Sequence, residues 1–187
     1  VSADSLNVGN LRFHSMAATA EGRPDDFRWV GFFHARGGAR FGGGGRLTRP
    51  PEGTIVRADS IDLDLLGRRW RLAAPFEARI RGAVIALDTV RLATSDGEGS
   101  LQLVGQVPRN GPGDLAITAL GVALKDVYRL AQRDTSGIGG TLILDARVAG
   151  TARAPEFRGT AALTGGQFGD FQAPLVRTAF DYREHLF

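Results

Sequence analysis

The sequence predicts an all-β protein, a long and repetitive antiparallel sheet with one short helix. Three observations carry that prediction. Glycine is abundant, 26 of 187 residues, and punctuates short runs of alternating polarity, the pattern of strands separated by tight turns. No apolar run approaches the roughly 18 residues of a membrane-spanning helix. Only one segment carries helical periodicity: Leu124, Val127, Tyr128 and Ala131 fall at i, i+3, i+4 and i+7.

The corner Gly150-Thr151-Ala152-Arg153-Ala154-Pro155-Glu156-Phe157-Arg158-Gly159 is the most informative stretch. It lies between the alternating run Thr141–Val148 and the run Thr160–Leu163, which leads into Thr164-Gly165-Gly166, itself turn-like in composition. Pro155 has no N–H to donate and a fixed φ, so it belongs at a corner or an edge and not inside a regular ladder. One strand therefore ends at Gly150-Thr151 and another leaves through Phe157 and Gly159.

Other strands follow from the same reasoning. Phe27–Phe33 is aromatic and suits a strand buried on at least one face. Ile61-Asp62-Leu63-Asp64-Leu65 puts three aliphatics on one face and two carboxylates on the other. Leu101–Val107 repeats the device after the turn 95–100, and Asp114–Ala119 follows the turn cluster Asn110-Gly111-Pro112-Gly113. In the run from Ala83 to Leu92 the apolar parity slips between Leu87 and Val90, and one extra residue there, a β-bulge, would restore it. The helix has Asp126 near its start and Arg129 and Arg133 near its end, in accord with its dipole. At that length it needs the sheet to hold it. The strands recur at a spacing of roughly 12 to 16 residues without an exact repeat.

Composition restricts function. The apolar fraction of 43% fits a folded chain and not a disordered tail. There is no cysteine, which excludes disulfides, thiolate zinc sites and cysteine nucleophiles. The net charge of +3 is modest, Lys125 is the only lysine, and the arginines are spread along the chain, as on the wet faces of strands rather than on a nucleic-acid-binding element. The chain opens at Val1 without a charged and apolar leader and closes beyond Phe180-Asp181-Tyr182, which reads as mid-strand; it is expected to be a segment of a larger protein.

Apparent sites reduce to structure. The cluster Arg36–Arg46 continues into Leu47-Thr48, without the Gly-Lys-Ser/Thr ending that a phosphate loop requires. It is short and flanked by strands, unlike the long disordered arginine–glycine segments that bind RNA, so a loop or glycine-rich strand is expected and no nucleic acid. His14, His34 and His185 lack the spacing of a metal site. Asp62 and Asp64 share a face, as carboxylate pairs in acid–base catalysis can, yet any half-wet strand gives that spacing. No Gly-x-Ser-x-Gly elbow is present. The expectation is no enzyme, no metal and no cofactor.

With these strands placed, the chain resembles part of the TamB/AsmA-like superfamily of bacterial envelope proteins. The resemblance rests on Gly139–Leu144, on Gly150-Thr151 through Pro155–Gly159, on Leu163–Phe168 and on Pro174. Val90-Arg91-Leu92 with Gly99–Gly105, Asp114–Ile117 and Leu124–Leu130 are similar in style. It covers residues 54–182 well and the first fifty poorly, so 1–53 is set apart as N-terminal strands with a Gly-rich loop and 54–187 as the TamB-like segment. The resemblance implies a curved sheet folded into a U-shaped trough with a greasy interior. It further implies a parent held at the inner membrane and spanning the periplasm, phospholipid transport, and an outer-membrane barrel partner of the TamA type.

The residues support that implication separately. A sheet with one aliphatic and one Arg/Asp/Thr face must cover the aliphatic side or present it to a partner. The expected acyl-chain lining is Ile61, Leu63, Leu65, Leu101, Leu103, Leu115, Ile117, Leu142, Leu144 and Val148, with Phe157 and Leu163 beyond the corner. A dry core closed by a second sheet or by the helix is the alternative for these residues. In function, a scaffold offering strand edges to outer-membrane protein clients is the alternative to a lipid conduit.

Overall fold

The structure is a computed structural model that describes residues 2–3, 6–8, 11–35, 40–65, 68–108, 111–130, 136–151 and 154–183; the side chains of 2–14, 35, 65, 129 and 130 lie outside the described set. The elements are β1 (Ser2–Ala3), β2 (Leu6–Val8), β3 (Leu11–Arg23), β4 (Asp26–Ala35), β5 (Arg40–Thr48), β6 (Thr54–Leu65), β7 (Arg68–Leu72), β8 (Phe76–Arg81), β9 (Val84–Thr94), β10 (Ser100–Pro108), β11 (Gly113–Ala123), α1 (Leu124–Leu130), β12 (Ile138–Gly150), β13 (Pro155–Phe168) and β14 (Phe171–Arg183).

All these strands join one antiparallel sheet whose order follows the chain. β1 and β2 both pair with β3 at one edge, β7 and β8 share a single lane between β6 and β9, and β14 forms the other edge. Sequential antiparallel pairing needs only short connections, which the Gly- and Pro-containing turns supply. The sheet runs on across residue 53 through the β5–β6 pairing.

The corner read from sequence is a hairpin. Pro155 opens β13 opposite Gly150, and Thr151 and Ala154 exchange backbone hydrogen bonds across the turn. The bulge expected in β9 is present: Leu103 and Gly105 of β10 face Val90 and Leu87, so three steps on β9 answer two on β10. Thr164-Gly165-Gly166, in contrast, is no turn. β13 runs through it to Phe168, with Gly165 absorbing a positive φ of 61°, and the chain reverses at 169–170. Turn-forming composition is overridden there by pairing with β14, where Thr164 meets Leu175 and Gly166 meets Ala173.

The glycine cluster contributes a true strand. Gly42–Gly45 lie in β5 and pair on both sides, with β4 and β6; Gly37 and Gly38 lie outside the described residues. The helix connects β11 to β12 and packs on both. Ala131 and Arg133 of the expected helix are likewise outside the described residues.

One further irregularity crosses several strands. β6 carries an extra residue, Asp59, opposite Gly44-Gly45. The β7–β8 lane is broken at Ala73-Ala74-Pro75, and β9 carries its bulge between Leu87 and Val90. Register places these side by side, because Ala58 faces Phe76, Leu72 faces Leu92 and Ala78 faces Leu87. A bulge tends to bend its strand and raise its twist, and here two bulges and a strand break lie in one line across adjacent strands.

A candidate binding face

Directly opposed residues of an antiparallel pair project to the same face, so register alone maps both surfaces of the sheet. One row of partners runs without interruption from β3 to β14: Gly22, Phe27, Leu47, Val56, Ala78, Leu87, Gly105, Leu115, Val148, Phe157, Tyr182. A second runs Leu72, Leu92, Leu101, Ala119, Leu144, Ala161, and a third Val90, Leu103, Ile117, Ala146, Gly159, Phe180. A fourth runs Met16, Phe33, Phe41, Leu63, Trp70, Thr94.

All twelve residues singled out from sequence fall on this face by register. Leu142 and Leu163 are direct partners, as are Val148 and Phe157, and Ile61 stands opposite Gly43. For Leu65 the backbone position is on this face, while its side chain lies outside the described set. The bulges are what make the convergence possible, since each extra residue restores the parity that a bend would reverse.

Sequence reasoning gave Phe27–Phe33 as a buried strand but left the aromatic part of the face out of the lining: Phe27, Trp29, Phe33, Phe41 and Trp70. The alternation of Phe27, Trp29 and Phe33 was the available signal, blurred by Val30 and Phe32, which project outward and are exposed. Phe33 and Phe41 rings lie 5.5 Å apart at 47°. Where β5 offers only glycine, neighbouring rings fill in: a Cβ on Gly43 would stand 3.5 Å from Phe41 Cζ and 3.6 Å from Trp29 Cη2. The Trp29 indole N–H is buried there without an acceptor.

The face is only partly covered. Its buried apolar residues are Ala58, Val90, Leu92, Ala119 and Ala146, and no described side chain is fully buried. Phe157 is 39% and Tyr182 52% exposed. The chain exposes 12508 Å², whereas a compact protein of this length would expose about 9,000 Å². No second sheet lies among the described residues.

The opposite face carries the charges. Arg46 and Asp26 make two hydrogen bonds of 2.6 and 2.5 Å, which hold the Asp26 carboxyl below its ordinary range and raise the guanidinium. Arg147 grips Asp114 in the same two-pronged way, with the same consequence. Asp62, one of the two candidate acid–base carboxylates, pairs with Arg71 at 3.2 Å; Asp64 stands opposite Arg69 and Arg40. His34 meets the Ser15 hydroxyl at 3.2 Å. The side chains of His14 and His185 lie outside the described set. Among the described residues no cluster of His, Cys, Asp or Glu could hold a metal.

Among the described residues, Arg68 alone is a charged residue on strand positions of the apolar face, at its end beside the helix. It is 17% exposed and reaches Asp96 (3.2 Å), Glu98 (3.0 Å) and Asp126 of α1 (3.7 Å). Asp96 is also held by the Thr94 side chain and the Glu98 N–H, and its carboxyl is lowered to about 2, the Thr94 contact being the largest cause.

No helix among the described residues is long and apolar enough to cross a membrane. Comparison with protein-family models, with curated proteins and with solved structures finds no match to this chain.

Proposed function

We propose that this chain is a non-enzymatic segment of a periplasm-spanning, inner-membrane-anchored envelope protein that shields lipid acyl chains passing between the two membranes. The observation that carries this is the uninterrupted apolar row from β3 to β14 on a sheet that no second sheet covers among the described residues. Such a face needs an occupant. Folding along the line through Asp59, Ala73–Pro75 and the β9 bulge, with the apolar side inward, would give the trough that the TamB/AsmA-like resemblance implies. An acyl chain entering it gains roughly 0.8 kcal/mol per buried CH₂, or about 10 kcal/mol in all, and can slide along aliphatic rows with no ATP or reacting group. Cargo would be phospholipid, and delivery would end at an outer-membrane barrel of the TamA type.

Native mass spectrometry with lipid extraction, on protein purified from a Gram-negative periplasm, tests this. Phospholipid is expected in a saturable ratio and is expected to vanish in Leu103→Asp/Leu144→Asp while circular dichroism keeps its β signal. Unchanged lipid in that variant rejects the proposal.

One observation favours a second reading, a scaffold for outer-membrane protein insertion. β14 is a thirteen-residue edge with Leu175 51% and Phe171 65% exposed, and an open edge can accept an added strand. Crosslinks from positions 171–183 to client strands, unaffected by Leu103→Asp/Leu144→Asp, would select it.

A further inference from the structure

At the end of the strands remote from Arg68, a hollow of about 140 Å³ opens between the β5–β6 turn and the end of β8. Its lining joins the two faces of the sheet. Thr54 and Ile80, direct partners, belong to the apolar face, while Arg79 and Arg81 belong to the charged one and Glu52 comes from the turn. Gly53 brings that turn against β8: its φ is +149°, and a Cβ there would stand 2.3 Å from the Ile80 carbonyl oxygen. Arg79 is already engaged by Glu77 at 2.9 Å. Arg81 and Glu52 are exposed, border the same hollow, and make no ion pair among the described residues.

An uncommitted guanidinium and an uncommitted carboxylate, set where an apolar face begins, match a molecule with one anionic group, one ammonium and a greasy tail. The geometry points to a site for a zwitterionic phosphate–ammonium headgroup, with the phosphate on Arg81, the ammonium on Glu52 and the tail leaving over Ile80 and Thr54. Guanidinium binds phosphate through paired charge-assisted hydrogen bonds, and the carboxylate discriminates against a purely anionic headgroup by repulsion. The tail's course rests on the acyl-shielding function proposed above; the headgroup contacts do not.

The test separates the two. Phosphoethanolamine and glycerol phosphate are titrated into the chain and followed by backbone amide NMR shifts at Gly53, Thr54 and Arg81. Phosphoethanolamine is expected to bind more tightly than glycerol phosphate. Arg81→Gln should weaken both by about tenfold, the loss of one charged contact. Glu52→Gln should weaken phosphoethanolamine and strengthen glycerol phosphate, an inversion that a general loss of structure would not produce. No shift with either compound, or equal effects of Glu52→Gln on both, overturns the site. Leu103→Asp/Leu144→Asp should leave phosphoethanolamine binding intact, so failure of the acyl-chain reading leaves this result standing. Lysophosphatidylethanolamine binding more tightly than phosphoethanolamine to the unmodified chain supports a lipid source. Equal affinities support the headgroup site with a soluble ligand and overturn the tail's course.

Discussion

Strands β4–β5 and β10–β12 build the same apolar face by different means. In β10–β12 most inward positions supply their own aliphatic side chain, with Gly105 an exception, and Leu101, Leu103, Ile117 and Leu144 sit opposite one another or opposite alanine. In β4–β5 three inward positions, Gly31, Gly43 and Gly45, are glycine, and Trp29 and Phe41 lean over Gly43. In the aliphatic half most inward residues cover their own backbone. The glycine half depends on close backbone approach and on borrowed rings. At Gly45 the reason is explicit: beside the Asp59 bulge, a Cβ would stand 1.9 Å from the Arg57 carbonyl oxygen.

The largest expected effect breaks the glycine half. Gly45→Ala should cost about 3 kcal/mol, a backbone clash that only a shifted β5–β6 register can relieve. Gly42→Ala on the outward side, where nothing lies within 4 Å, should stay within about 0.5 kcal/mol. Urea midpoints of the two variants compare them, and equal values would mean that β5 and β6 do not approach as described.

Next in size is a test that sets the aliphatic half against β9 beside it. Leu92 is 8% exposed, and Leu92→Ala should cost about 2.5 kcal/mol, toward the lower end for a packed core. Leu144 is only half-buried, and Leu144→Ala should cost about 1.5 kcal/mol, because less transfer free energy is lost and no closed cavity forms. Equal losses would show that the face at β12 is covered, against an open binding face.

The smallest effect concerns the end of the aliphatic half, where Asp96 is held by Thr94, Glu98 and Arg68. Its carboxyl is lowered to about 2 in the fold, against about 3.9 in an unfolded chain. Its contribution to stability is therefore complete above about pH 4 and disappears as pH falls through about 2. Asp96→Asn should be less stable than the native chain at pH 7, and the two should converge near pH 2 in denaturant titrations. A gap that persists at pH 2 would mean that Asp96 acts by shape and not by charge.

Strand identity was legible because period-two alternation is imposed locally by the pleat. Ile61–Leu65, Leu101–Val107 and Thr141–Val148 announced both their conformation and their inward sides, and the parity slip at Leu87–Val90 revealed a bulge. The same rules failed at Thr164-Gly165-Gly166, where a long ladder outweighs turn composition. They gave Phe27–Phe33 as a buried aromatic strand but did not reveal that Trp29 and Phe41 fill the space over Gly43, because that depends on how β4 and β5 pair. Arg81 and Glu52 could not be associated from sequence either, as nothing local brings residue 52 to residue 81.

The sequence by itself determined an all-β chain, the turns at 95–100 and after Gly150, and which residues share a side in its clearly alternating strands, because those properties depend on neighbours a few positions away. Only the tertiary structure decided that the strands form one sheet, that its bulges and the break between β7 and β8 line up across β6 to β9, and that the apolar sides of the strands converge on one face. Those outcomes depend on register between strands, which is set by pairings across the sheet and by the bulges that correct their parity.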